Sequence, residues 1–375
     1  MMTALLPQPD PDGLLEYSVV YTDRSLNHMS KRFGGVMTDI SRIVKSVYHA
    51  RAAVIVPGSG TFGMEAVARQ FATDQRCLIL RHGWFSFRWS QILETGRIAA
   101  GTTVLKARRA SPGPQAPFAP APLDEVIRTI RAERPQVVFA PHVETSSGLI
   151  LPDEYLHAVG AAVREVGGLF VLDCIASGTV WVDLDSCLVD VLLSAPQKGW
   201  SGSPCCGIVA LGARARERIE QTKSTSFACD LLKWLQIMEA YEKGGFAYHA
   251  TMPTDALAVL RDVMLETERF GFAQAAEEAR QLGAAVRSML GAAGLPSVAA
   301  PGFGAPGVVV SYTTNPEIQS GKAFRNLGLQ IAAGVPLQCD EGDDFRSFRI
   351  GLFGLDKLKD RARTLRSLED AVRQL

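Results

Sequence analysis

The sequence predicts an α/β protein, with a large domain on a mostly parallel sheet and a smaller α+β domain after it. Three observations carry that prediction. Short, continuous apolar runs recur between helical patterns, as in strands covered on both faces. Polar segments follow several of these runs directly, at the carboxyl ends where open α/β sheets bind ligands. Beyond about Asp255 the pattern changes to long helical periodicity and then to two further strands.

The elements follow in chain order. Residues 1–25 read as an N-terminal arm and 26–255 as the large domain. In the large domain, 53–56, 77–80, 136–140, 169–172, 189–193 and 207–211 are predicted strands, and 61–72 and 153–165 predicted helices. The stretch 109–122 holds five prolines and reads as a surface loop. The small domain, 256–375, opens with a helical stretch to Leu290, in which Ala279, Leu282, Val286 and Met289 mark one apolar face. Strands are predicted at 307–312 and 347–351. A final helix follows, with Leu358, Ala362, Leu365 and Leu368 as its buried stripe.

Composition narrows the function. The 375 residues are 47% hydrophobic and 21% charged, with Lys+Arg and Asp+Glu balanced at 39 each. That balance gives no basic footprint for nucleic acid or for an anionic membrane. The seven cysteines are scattered without a CxxC, which suggests neither a disulfide framework nor a metal site. The N-terminus lacks a basic, apolar leader, and no apolar run approaches the roughly 20 residues that span a bilayer. A cytoplasmic protein without membrane or nucleic-acid partners is expected.

The chemistry centres on Asp173, at the end of the 169–172 run, and Lys198, just past the 189–193 run. A lysine amine forms a Schiff base with the aldehyde of pyridoxal 5′-phosphate (PLP). A carboxylate beside the pyridine nitrogen keeps that nitrogen protonated, so the ring can take up electrons. Other segments supply the remaining parts of such a pocket. The 57–63 segment (PGSGTFG) joins a strand to a helix and reads as a phosphate cradle, with Ser59 and Thr61 as hydroxyl donors. It is neither a Walker loop nor GxGxxG. Trp84 or Phe85 can face a planar ring. Thr145, in the run His142-Val143-Glu144-Thr145-Ser146-Ser147-Gly148, can bond a ring hydroxyl. Arg349 suits a substrate carboxylate because a guanidinium pairs with it bidentately, and Arg346 is the competing candidate.

In this order, GSGTxxxEA, an aromatic after His-Gly, HxETSSG, D-C-I-A-S and S-x-x-Q-K resemble the class V aminotransferases of the fold-type-I PLP enzymes. Within that family the likeness is to the alanine/serine–glyoxylate and 2-aminoethylphosphonate aminotransferases. It covers residues from about 26 onward. The resemblance implies a seven-stranded sheet and PLP as cofactor. It places Ser59, Gly60, Thr61 and Gln197 at the phosphate, Phe85 on the ring, Thr145 at the ring hydroxyl, Asp173 at the ring nitrogen and Lys198 at the aldehyde. Tyr248 and Thr251 match a Y-x-x-T segment that reaches the neighbouring subunit's phosphate, which implies a homodimer with shared active sites. Arg349, in Phe348-Arg349-Ile350-Gly351, matches the carboxylate-binding arginine. His28 is a candidate lining the substrate entrance.

The implied reaction is ping-pong transfer of an amino group from a small donor to glyoxylate or pyruvate. The donor would be alanine, serine or a 2-aminoethylphosphonate-like amine. The alternative is a lyase on the same fold that cleaves a C–S or C–P bond, with Cys339, Cys205 and Cys206 as the thiols to consider. One segment departs from the family: 17–24 (YSVVYTDR) stands where a Gly-Pro-Gly-Pro-like turn is usual, so Tyr21 and Arg24 become candidates for reading the donor.

Overall fold

The structure, a computed structural model, describes residues 7–375; residues 1–6, where the predicted arm begins, lie outside the described residues. The apolar runs become β1 (Ala52–Pro57), β2 (Arg76–Arg81), β4 (Val137–Pro141), β5 (Leu169–Asp173), β6 (Val191–Ser194) and β7 (Cys206–Leu211). With β3 (Gly101–Lys106) they form one seven-stranded sheet in the order β1-β7-β6-β5-β4-β2-β3. Its pairs are parallel except at β7, which runs antiparallel to both β6 and β1. The sequence reading missed β3. An edge strand pairs on one side only, and this one is exposed or half-buried along its length, so it carries no continuous apolar run.

Helices α1 (Lys31–Tyr48), α2 (Gly60–Phe71), α3 (Trp84–Thr95), α4 (Leu123–Glu133), α5 (Asp153–Glu165) and α6 (Leu231–Glu242) cover the sheet. Helix α2 lies unusually close to β7. A Cβ on Gly207 would stand 2.8 Å from Gly63 Cα and 3.0 Å from the Ser59 carbonyl oxygen, so two glycines set the seat of this helix. Gly207→Ala is therefore expected to push α2 off the sheet. Overpacking of this kind costs about 1–3 kcal/mol, measurable by urea unfolding, and the displaced helix is the one that carries the 58–61 turn.

The predicted helix from 255 to 290 is two helices, α7 (Thr254–Phe270) and α8 (Phe272–Ala292). They meet at Gly271, whose φ of +99° ends the first. Leu257, Leu260 and Met264 of α7 pack into the apolar core of the large sheet, so a boundary at 255/256 cuts the first turn of a helix that belongs to that core. A second core begins on α8 and includes Leu282, Val286, Phe348 and Ile350. A three-stranded antiparallel sheet lies in this region, made of β8 (Val308–Tyr312), β9 (Ala332–Ala333) and β10 (Ser347–Gly351), with β10 in the middle. A third cluster, including Phe118, Leu149 and Val310, joins the two regions. Phe118 belongs to the proline-rich 109–122 stretch, which is thus anchored by a buried ring and a short antiparallel pair with 108–109.

The C-terminal helix also differs from its prediction. Leu358 ends a short helix (Leu355–Leu358), and Asp360 caps a separate one, α9 (Arg361–Val372). Leu368 and Ala371 are its buried residues, whereas Ala362 is exposed. Restarting the helix at Asp360 rotates the stripe away from the one a continuous helix would present. Among the described residues, no helix is long and apolar enough to cross a membrane.

Candidate active site

The parallel pairing of β5 with β6 sets Asp173 opposite Leu193 at the carboxyl end of the sheet. Asp173 is buried, and its Oδ1 accepts from the Ile175 N–H at 2.9 Å. Burial first, and the nearby Glu144 charge, push its carboxyl up to about 7; the Ile175 N–H and the Arg88 cation act the other way. No cation forms an ion pair with it among the described residues.

Lys198 sits on the loop that leaves β6. The loop is held by the Gly202 N–H to the Pro196 carbonyl at 2.9 Å and by the Trp200 indole N–H to Ser194 Oγ at 3.2 Å. Trp200 is buried against Trp181, with ring centroids 4.8 Å apart. The Lys198 amine has no carboxylate partner among the described residues; Nζ lies 5.1 Å from the centre of the Phe353 ring. Burial, and then the Arg349 guanidinium, hold its pKa below the ordinary lysine value, which favours a neutral, nucleophilic amine.

The 58–61 turn connects β1 to α2. Gly58 has φ +121°, and its N–H donates to the Cys205 carbonyl at 2.9 Å. Ser59 is the N-cap residue of α2 and makes no side-chain cap bond, which leaves its hydroxyl and the first N–H groups of the helix for a ligand. Thr61 Oγ1 accepts from Arg88 at 3.0 Å.

Trp84 and Phe85 make different contacts. Trp84 packs on Phe87, with ring centroids 6.0 Å apart. The Phe85 ring has the Arg88 guanidinium carbon 5.4 Å and the Arg349 guanidinium carbon 5.6 Å from its centre. Arg349 also donates from Nε to the Ala333 carbonyl at 2.8 Å, and no carboxylate pairs with it among the described residues. Arg346 is exposed and spent on the Asp343 and Phe345 carbonyls, so Arg349 is the one of the two that faces the Phe85–Lys198 group.

Two further residues of this group were not assigned from sequence. Glu144 is fully buried. Its Oε2 accepts from the Ser86 N–H and hydroxyl at 2.8 Å each, and its Oε1 from the Ser146 N–H at 3.0 Å and the Phe85 N–H at 3.3 Å. A carboxylate from one loop thus caps the N-terminus of α3, the helix that presents Phe85. Arg88 lies one turn beyond Phe85, and that i, i+3 spacing was the available signal. It links the 58–61 turn, the Phe85 ring and the Asp173 charge.

Thr145 is buried beside Glu144, and Gln197 is exposed next to Lys198. Tyr248, Thr251 and His28 form a separate group. Tyr248 Oη lies 3.1 Å from Thr251 Oγ1, and its ring centre 5.5 Å from that of His28. His28 is buried with Nδ1 unpartnered, whereas Tyr248 and Thr251 are exposed. Among the described residues, no hydrogen bond or ring contact joins these three to the Lys198 group. All seven cysteines are buried, and burial pushes Cys339 up to about 12, whereas the contact with the Cys206 thiol holds Cys205 below the ordinary thiol value.

No protein-family model matches the chain. It is similar to the alanine–glyoxylate aminotransferase of Rattus norvegicus, at 23% identity over 359 residues, covering 93% of this chain and 82% of that protein. It is also similar to the L-aspartate–glyoxylate aminotransferase of Paracoccus denitrificans, at 24% identity over 227 residues, covering 60% of this chain and 55% of that protein. Among solved structures, the alanine–glyoxylate aminotransferase from Nostoc sp. superposes with a TM-score of 0.78 at 22% identity, covering 93% of this chain and 88% of that one. The structural likeness agrees with the seven-stranded α/β architecture.

Proposed function

We propose that this chain, a homologue of the class V aminotransferases with the fold-type-I architecture, is a PLP-dependent aminotransferase that moves the amino group of a small donor to glyoxylate. The observation that carries the reading is the pair of Asp173 and Lys198. A buried carboxylate and a half-buried amine stand at the carboxyl ends of neighbouring parallel strands, and neither has an ion partner among the described residues.

The residues fit the cofactor. When bound, PLP supplies an aldehyde that takes up the amino group and a ring that stores the electron pair released at the donor's α-carbon. The N–H groups and hydroxyls of Ser59, Gly60 and Thr61 would hold its phosphate, with Gln197 beside them. Phe85 would cover the ring, and Thr145 would bond its hydroxyl. Asp173 would hold a proton at the ring nitrogen. Lys198 Nζ would remove the donor's α-proton, helped by its depressed pKa. Arg349 would fix the donor carboxylate so that the α-proton faces that amine. The acceptor would pass through the same steps in reverse, which gives ping-pong kinetics.

Tyr248 and Thr251 would complete the phosphate site of a second copy. Their exposure, and that of Phe246, Leu14, Leu15 and Tyr17, supports a homodimer. The domain division is proposed at Gly271, where the chain leaves the first core.

The raised pKa of the buried Cys339 thiol favours transamination over lysis assisted by that residue. A panel of amino donors with glyoxylate or pyruvate tests the function. With alanine and glyoxylate, the expected products are equal amounts of pyruvate and glycine. Release of sulfide, ammonia or phosphonate cleavage products without glycine would instead establish a lyase.

A further inference from the structure

We propose that Phe353 sets the size limit of the amino donor: its ring walls the side-chain end of the site and admits small aliphatic donors such as alanine. This rests on the aminotransferase reading.

The ring is placed rather than loosely exposed. Its edge stands on glycines from three segments. A Cβ on Gly307 would meet the ring at 2.9 Å, on Gly178 at 3.4 Å and on Gly351 at 3.6 Å. Backbone bonds pin the segment on both sides of it. The Leu352 N–H donates to the Gly307 carbonyl at 2.9 Å, and the Leu355 N–H to Ser201 Oγ at 3.0 Å, on the loop that carries Lys198. Phe353 is half-buried, and its ring centre lies 5.1 Å from Lys198 Nζ.

Phe353 follows Arg349 by four residues, at the exit of β10. Arg349 in turn faces the Phe85 ring. A donor held by its carboxylate at Arg349, with its α-proton removed by Lys198, has its α-carbon next to the Phe353 ring. Its side chain must then share the space that the ring fills. The ring fills space over glycines that carry no side chain of their own, so truncating it opens that space to a larger donor side chain. Hydrophobic pockets discriminate by one or two carbons at about 10–200-fold.

The test uses full-length Phe353→Ala and Phe353→Leu proteins loaded with PLP. Cofactor loading is followed by absorbance, and the first half-reaction by single-turnover absorbance changes with alanine, 2-aminobutyrate and leucine. The expected result is unchanged loading and a rise of about tenfold or more in the leucine-to-alanine ratio of kcat/KM for Phe353→Ala, with a smaller rise for Phe353→Leu. An unchanged ratio in variants that still process alanine overturns the Phe353 proposal alone. So does an equal loss for all donors, which would assign the ring to holding Lys198. A wild-type protein that loads PLP but processes no donor of any size overturns the aminotransferase reading and this proposal with it.

Discussion

Lys198→Ala is expected to leave the protein folded and to lower the rate of amino-group transfer by about 10³-fold or more, as loss of a group acting as both nucleophile and general base implies. The structural cost of the change is small. The amine makes no hydrogen bond or ion pair among the described residues, and the loop is held by Trp200, Ser194 and Pro196. The lost Nζ stands 5.1 Å from the centre of the Phe353 ring. Lys198→Arg keeps the charge but offers no amine of tunable pKa, and it is expected to be as inactive. The chemical assignment has its own readout. Borohydride reduction of the loaded wild-type protein, followed by peptide mass analysis, should place a pyridoxyl group on the peptide containing Lys198 and on no other. Labelling at another lysine, such as Lys223 or Lys243, would move the catalytic centre away from this loop.

The layout of the candidate site was legible because parallel sheets write it into the sequence. A strand buried on both faces must be continuously apolar, so the first polar residue after it marks the sheet's carboxyl edge. Asp173 and the 58–61 turn follow that rule directly, and Lys198 lies on the loop four residues past Ser194, where β6 ends. The residues that escaped notice act through contacts that no local pattern encodes. Glu144 reaches from one loop to the N-terminus of a helix elsewhere in the chain. Arg88 points back along its helix to a threonine 27 residues earlier. Phe353 owes its position to glycines at 178 and 307, which lie next to it only in the folded chain. The same limit explains the misread helix ends. The break at Gly271 and the restart at Asp360 interrupt patterns whose apolar spacing alone would run on.

Asp173→Asn is expected to separate stability from cofactor binding, raising one and lowering the other. In the empty protein the carboxyl titrates near 7 against an ordinary value of 3.8, chiefly because burial penalises the charged form. An acid whose folded pKa is raised contributes stability that is fully present below its unfolded pKa and is lost as pH rises through the folded value. The loss therefore runs between about pH 4 and 7. Three pKa units amount to about 4 kcal/mol at full ionisation. Asparagine keeps the shape and the bond from the Ile175 N–H but carries no charge at any pH. Urea unfolding of the empty proteins should show the variant gaining on the wild type by a few kcal/mol between pH 5 and pH 8. A difference that stays constant across that range would mean that the wild-type carboxyl is not a buried charge above pH 7. Cofactor binding should move the other way. A protonated ring nitrogen is the one partner that repays the burial of the Asp173 charge, and a neutral amide cannot hold that proton. PLP affinity, read by absorbance titration at pH 8, is expected to fall by about a hundredfold, the equivalent of one lost charge-assisted bond of ~3 kcal/mol. A variant that is more stable when empty and weaker in binding PLP identifies Asp173 as a group kept for the cofactor at the expense of the fold.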